Sequence, residues 1–198
     1  MQKNKFLYGL ILAVLSFNTI MICVNTFRLI DDRNTLKVVQ VEIQELKRRV
    51  EMEIKLRQEI FPEIKKSTAL LSDSNPELAP LTALSYALKI WQVSDEVVPH
   101  DLLTALIVVE SGARHNAISP QGAMGLMQIM PGESPYGLRE LKNPYKNIEV
   151  GAEILRQNIR QYGLIGGLQV YYSGALNQNR GASLRYAKKV LETAENHF

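Results

Sequence analysis

Apolar and polar positions change their spacing along the chain, and each change marks an element. From Phe6 to Val24 the sequence is apolar on nearly every side, behind Lys3 and Lys5, and weakened by Ser16, Asn18 and Thr19. A helix needs about 20 such residues to cross a bilayer. A core helix would rarely start so early behind two lysines and stay apolar all round. Residues 1–30 are therefore expected to form an uncleaved transmembrane signal anchor. No A-x-A-like site follows the run, and Ile22 before Cys23 is too bulky for lipoprotein processing. The alternative is a cleaved signal that leaves a soluble periplasmic chain. Lys3 and Lys5 favour a cytoplasmic N-terminus, although Arg28 and Arg33 dilute that bias.

Residues 31–61 change to a charged helical pattern. Leu36, Val39, Ile43, Leu46 and Val50 alternate steps of three and four, and the register then slips by one to Ile54 and Phe61. Two heptads and a stutter predict an amphipathic, coiled-coil-like stalk. The stalk could self-associate, or it could pack on its own domain. Residues 62–80 hold three prolines and a Ser/Asp/Asn cluster, the composition of a linker.

Residues 81–198 show no strand alternation and read as one all-α domain. Leu81, Leu84, Leu88 and Trp91 form one predicted stripe. In "VPHDLLTALIVVESG", Pro99 and Asp101 are start signals and Gly112 a stop signal. Its middle, Leu102 to Val109, is apolar on nearly every side and predicts the central buried helix. "NIEVGAEILRQNIRQYG" offers Asn147 as a cap and Gly163 as a terminator, with Ile148, Ala152, Leu155, Ile159 and Tyr162 as its stripe. A last helix is expected over about Ala182 to Glu195, carrying Tyr186, Val190 and Leu191.

Composition removes several functions. The net charge is +3 with basic and acidic residues interleaved, so no basic stripe for nucleic acid exists. The single cysteine, Cys23, lies in the apolar N-terminal run and allows no internal disulfide or metal spacing. His100, His115 and His197 are scattered, and no metal site is expected. His115 reads as a loop or rim residue, and Trp91 as core packing rather than a sugar-stacking ring.

One acid stands out. Glu110 ends the most apolar helix, where burial and the negative end of the helix dipole both raise a carboxyl pKa. That is the tuning a general acid needs near neutral pH. The plainer reading is a side chain that frays into solvent. Glycosidases usually pair two carboxylates, yet the next acid, Glu133, comes only after Pro131. One acid suffices where an N-acetyl sugar supplies its acetamido oxygen as the second group. Gly122 and Gly125 would let backbone approach a sugar. Met124, Met127 and Met130 offer adaptable apolar surface, or ordinary core. Gln128 could hydrogen-bond a ligand, or be a satisfied core amide.

Together these residues closely resemble the SLT-type lytic transglycosylases of the goose-lysozyme-like superfamily. The family motif is an apolar helix ending in Glu-Ser, then Ser-Pro-x-Gly-Ala-x-Gly-Leu-Met-Gln-hydrophobic-Met-Pro. Here these are Glu110-Ser111 and "SPQGAMGLMQIMP", Ser119 to Pro131. "NPYKNIEVGAEIL" resembles the family's asparagine-led helix with a central glycine, and "VYYSG" with "YAKKVL" its Tyr-Asn-x-Gly block and final helix. The resemblance spans about Leu81 to Leu191 and implies a lysozyme-like helical fold. It implies Glu110 as the single catalytic acid/base, with Ser119, Gln128, Met130 and Tyr171 at substrate-binding positions. Tyr172 stands where the family has Asn, and a shifted alignment would choose Tyr172 as the site tyrosine. The segment from Gly132 to Leu141 is shorter than usual, which would open one wall of the cleft.

The implied reaction cleaves the β-1,4 bond between N-acetylmuramic acid and N-acetylglucosamine in peptidoglycan and leaves 1,6-anhydromuramoyl products. No cofactor is implied. The implied partners are peptidoglycan strands, the inner membrane through the anchor, and a second copy or an envelope assembly through the stalk, with the domain in the periplasm. Two other readings stand beside this one. The first is a muramidase on the same fold, with Asp95 or Asp101 brought near Glu110. The second is a non-catalytic glycan-binding scaffold of a secretion, conjugation or pilus apparatus.

Overall fold

The apolar run from Leu102 to Val109 becomes part of the helix that other helices surround. In a computed structural model, which describes Thr19, Ile22 and residues 33–132, 136–176 and 179–198, the chain divides into two compact units, Met1–Leu56 and Arg57–Phe198. The helices are α1 (Arg33–Lys55), α2 (Phe61–Ser74), α3 (Pro80–Val93), α4 (His100–Ser111), α5 (Leu138–Leu141), α6 (Pro144–Ser173) and α7 (Arg180–Glu195), with a π-helical turn at Leu56–Ile60. In place of a sheet, the described residues contain two isolated β-bridges, Ile118 with Met124 and Met124 with Ile129.

In the first unit, the predicted stalk is helical as α1, and Leu36, Ile43 and Val50 lie about half exposed along it. The predicted anchor over 1–30 lies outside the described residues, apart from Thr19 and Ile22. Among the described residues no helix is long and apolar enough to cross a membrane.

In the second unit, α4 packs against α2, α3 and α7, and Leu102 to Ile107 are all buried. The boundary signals act as expected: Pro99 precedes the first turn, and Gly112 closes the helix in the left-handed conformation. Gly163 also terminates as expected: its φ of 72° and ψ of 173° end the first helical part of α6, and a second helical part follows across the kink.

Three local expectations are corrected. Most of the segment 62–80 is the helix α2 rather than a linker. Pro62 sits in its first turn, directly after the π-helical turn. Hydroxyls of this segment bond back along the helix, Thr68 to the Ile64 carbonyl and Ser74, from the Ser/Asp/Asn cluster, to the Leu70 carbonyl. Ile64, Leu70 and Leu71 enter the core, and Thr104 of α4 donates to Ser67 in the buried interior. Next, the face that α3 buries is Ala83, Tyr86, Ala87 and Ile90, while Leu81 and Leu88 are 80% and 48% exposed. Leu84 and Trp91 pack at the core margin. Two stripes compete on this helix, and the one with small residues lets helices approach. Finally, Asn147 is not a cap. Asn143 caps α6 by accepting from the Tyr145 and Lys146 backbone N–H groups, and Asn147 lies one turn inside, fully buried.

Each of the three α2 core side chains is worth about 1.5–3 kcal/mol of burial, against a total stability of about 5–15 kcal/mol. A fragment starting at Leu81 is therefore expected to lose cooperative melting followed by circular dichroism. A fragment starting at Arg57 is expected to keep it. Equal melting temperatures for the two would contradict the place of α2 in the core.

Candidate active site

Glu110 stands at the C-terminal end of α4, one residue before Ser111 ends the helix. The backbone turns away at Gly112, so the side chain is partly accessible although protein surrounds most of it. α7 supplies its partner: the Tyr186 hydroxyl donates to Glu110 Oε1. Burial raises the Glu110 pKa from its ordinary 4.5 to about 7, against the Tyr186 hydrogen bond and the Lys189 charge, which both pull it down. Burial, and next the charge of Glu110, push the Tyr186 phenol well above its ordinary range. Tyr186 thus remains a protonated donor wherever Glu110 titrates.

The glycine-rich segment folds over as a loop closed by backbone pairs. Met124 and Ile129 exchange both N–H···O bonds at 3.0 Å, and the Ser119 N–H donates to the Ala123 carbonyl at 2.9 Å. Ser119 Oγ accepts from the Ala123 N–H at 3.0 Å, so its side chain closes this turn. Gln128 takes a φ of 48°, and its amide nitrogen donates to the carbonyls of Gly125 and Ala117 at 2.9 and 3.3 Å. Met124 and Met127 are core residues, while Met130 is only partly buried.

α6 holds this loop from beneath through two side chains. Asn147 Oδ1 accepts from the Met127 N–H at 2.8 Å, and its Nδ2 donates to the Met124 and Leu141 carbonyls at 2.9 and 3.1 Å. The approach is close enough that a Cβ on Gly125 would stand 2.5 Å from Asn147 Nδ2. The space Gly125 leaves is therefore filled by an asparagine, not kept for a sugar as the sequence suggested. The Tyr171 hydroxyl donates to the Met127 carbonyl at 2.8 Å. Its neighbour Tyr172 packs on the Tyr186 ring, with centroids 4.8 Å apart. Consecutive tyrosines of α6 thus link the loop to the acid.

The acids suggested as a second carboxylate are engaged elsewhere. Asp95 binds Arg156 at 2.6 Å and accepts from the Val97 and Val98 N–H groups. Asp101 lies in the first turn of α4 and accepts from the adjacent Leu102 N–H, about 14 Å along the helix axis from Glu110. It lines a separate cavity of about 620 Å³ with Pro99, Leu102, Leu164, Leu191 and Phe198. Glu133 lies outside the described residues. His115 is exposed on the turn after α4, edge-on to Tyr86, and Trp91 packs against the His100 ring.

Sequence reasoning treated Asn147 as a helix start and Tyr186 as a stripe residue. The available signals were that Asn147 is the second asparagine of "NPYKN", and that Tyr186 is a phenol on a stripe otherwise aliphatic.

The family model described as Transglycosylase SLT domain matches residues 88–193, from α3 through α7. The chain is 36% identical over 94 residues to a transglycosylase of Enterobacteria phage PRD1, covering 46% of this chain and 36% of that protein. It is 32% identical over 113 residues to an endo-type membrane-bound lytic murein transglycosylase A of Klebsiella pneumoniae subsp. pneumoniae, covering 48% of this chain and 55% of that protein. The chain thus spans about a third to about half of the length of these curated relatives. With the family model covering more than half of its residues, the chain belongs to the transglycosylase SLT domain family.

Proposed function

We propose that this chain is a peptidoglycan lytic transglycosylase with Glu110 as its single acid/base. The supporting observation is that Glu110 is a partly accessible carboxyl kept protonated to about pH 7, with Tyr186 as its hydrogen-bond partner. Glu110 donates its proton to the glycosidic oxygen linking N-acetylmuramic acid to N-acetylglucosamine. The muramoyl acetamido oxygen attacks the anomeric carbon as the C–O bond breaks. Glu110, now a carboxylate, removes the proton of the muramoyl 6-hydroxyl. That oxygen displaces the acetamido oxygen and closes a 1,6-anhydro ring, and Glu110 is protonated again. No second carboxylate is used, in keeping with the engagement of Asp95 and Asp101 elsewhere.

The loop supplies one wall of the glycan site. The amide oxygen of Gln128 and the partly exposed Met130 meet the strand, while Ser119 and Tyr171 act by holding the loop. The apolar run Phe6–Val24 behind two lysines supports anchoring in the inner membrane, with the domain on the periplasmic side. One matched relative is itself named membrane-bound. Recovery of the full chain in the soluble fraction after cell lysis would contradict the anchor.

The pH profile of muropeptide release from purified peptidoglycan tests the acid. The rate is expected to fall as pH rises through about 7, because only protonated Glu110 can donate. Tyr186→Phe removes a hydrogen bond that favours the carboxylate. Its alkaline limb is expected to move to higher pH, with turnover reduced about tenfold or more. A limb that stays in place, or moves down, would contradict the assignment.

A further inference from the structure

Tyr172 is a large aromatic residue packed on Tyr186, the partner of the acid, and the reaction does not use it. It is 47% exposed, whereas its neighbour Tyr171 turns inward to the Met127 carbonyl. Part of the Tyr172 ring covers Tyr186, with the planes tilted by 31°. The rest of the ring is open to solvent, one ring away from the phenol that holds Glu110. Tyr145 and Tyr162 are exposed to a similar degree, and a singly exposed ring is ordinary; Tyr172 differs in that its open part lies one ring from the phenol that holds Glu110. Pyranose rings have faces of axial C–H bonds that stack on aromatic rings, while their hydroxyl and acetamido edges stay hydrogen-bonded. Tyrosine fits such a ligand because its body is apolar and its tip is wet.

We propose that Tyr172 is a stacking platform for one N-acetylhexosamine ring of the glycan strand, in the subsite adjoining Glu110. This rests on the reading of the site as a glycan-cleaving one. It also gives a use to the departure at this position, where the family carries Asn. A side chain that could only hydrogen-bond is replaced by one that binds through area.

The test separates the platform from the reaction. The probe is the tetramer of β-1,4-linked N-acetylglucosamine, titrated calorimetrically into the full chain carrying Glu110→Gln, so that turnover cannot intervene. Adding Tyr172→Ala is expected to weaken binding roughly tenfold, and Tyr172→Phe to recover most of it. In the otherwise native chain, Tyr172→Ala is expected to raise KM by a similar factor while the alkaline limb of the pH profile stays in place. Equal affinities for the Ala variant and its parent, or no binding by the parent, would overturn the platform. An unchanged affinity with a lower kcat and a shifted alkaline limb would overturn it in favour of a role through Tyr186. If the tetramer binds through Tyr172 while the native chain releases nothing from peptidoglycan, the platform stands and the lytic reading fails.

Discussion

Glu110→Gln is expected to reduce turnover on peptidoglycan at least about a thousandfold while leaving the helical fold intact. The amide keeps the shape of the carboxyl and can still accept from the Tyr186 hydroxyl, but it has no proton to donate or recover. The same variant should also change stability in a pH-dependent way. The folded pKa of about 7 lies above the ordinary 4.5, so folding favours the protonated form. That contribution is fully present below about pH 4.5 and is lost as pH rises through about 7. Glutamine has no such dependence. The variant should therefore melt like the native chain at pH 4 and above it at pH 8, by roughly 1–3 kcal/mol given that Glu110 is partly open to solvent. Native turnover would contradict the mechanism, and a variant less stable at pH 8 would contradict the raised pKa.

Asn147→Ala carries the largest expected structural effect. It removes three hydrogen bonds at once: the buried Met127 N–H and the Leu141 carbonyl lose this partner, while the Met124 carbonyl keeps the Ile129 N–H. Buried groups left unpaired cost about 1–3 kcal/mol each, with some recovered by relaxation or entering water. A net loss of about 3 kcal/mol, or roughly ten degrees in melting temperature, is expected. Activity should fall even below the melting transition, because the loop wall loses its support. Asn143→Ala provides the contrast, since loss of a helix cap costs about 1 kcal/mol. If the two variants melted alike, Asn147 would not be what holds the loop to α6.

These two residues show what the sequence could and could not disclose. Glu110 was legible because its setting is local: an apolar helix with a proline before it and a glycine after it, and one acid at its end. The bounds of α4 and the break at Gly163 were legible for the same reason. Asn147 was not, because its role depends on a loop about twenty residues earlier in the chain folding back over it. The only local cue, an asparagine beside an apolar stripe, fits a cap equally well. Tyr186 reaches Glu110 across 76 residues of chain, a contact that periodicity does not encode. α2 was obscured by composition, since the three prolines and the Ser/Asp/Asn cluster look loop-like until the packing of Ile64, Leu70 and Leu71 is known. On α3, two apolar stripes competed, and only the packing partners selected the one with small residues.

The most direct test of the chemistry is mass spectrometry of the products released when the full chain acts on purified peptidoglycan. Muropeptides ending in 1,6-anhydromuramic acid, absent with Glu110→Gln, are the expected result. Reducing ends heavier by one water would contradict it, since they would mean that water, and not the muramoyl 6-hydroxyl, completes the reaction.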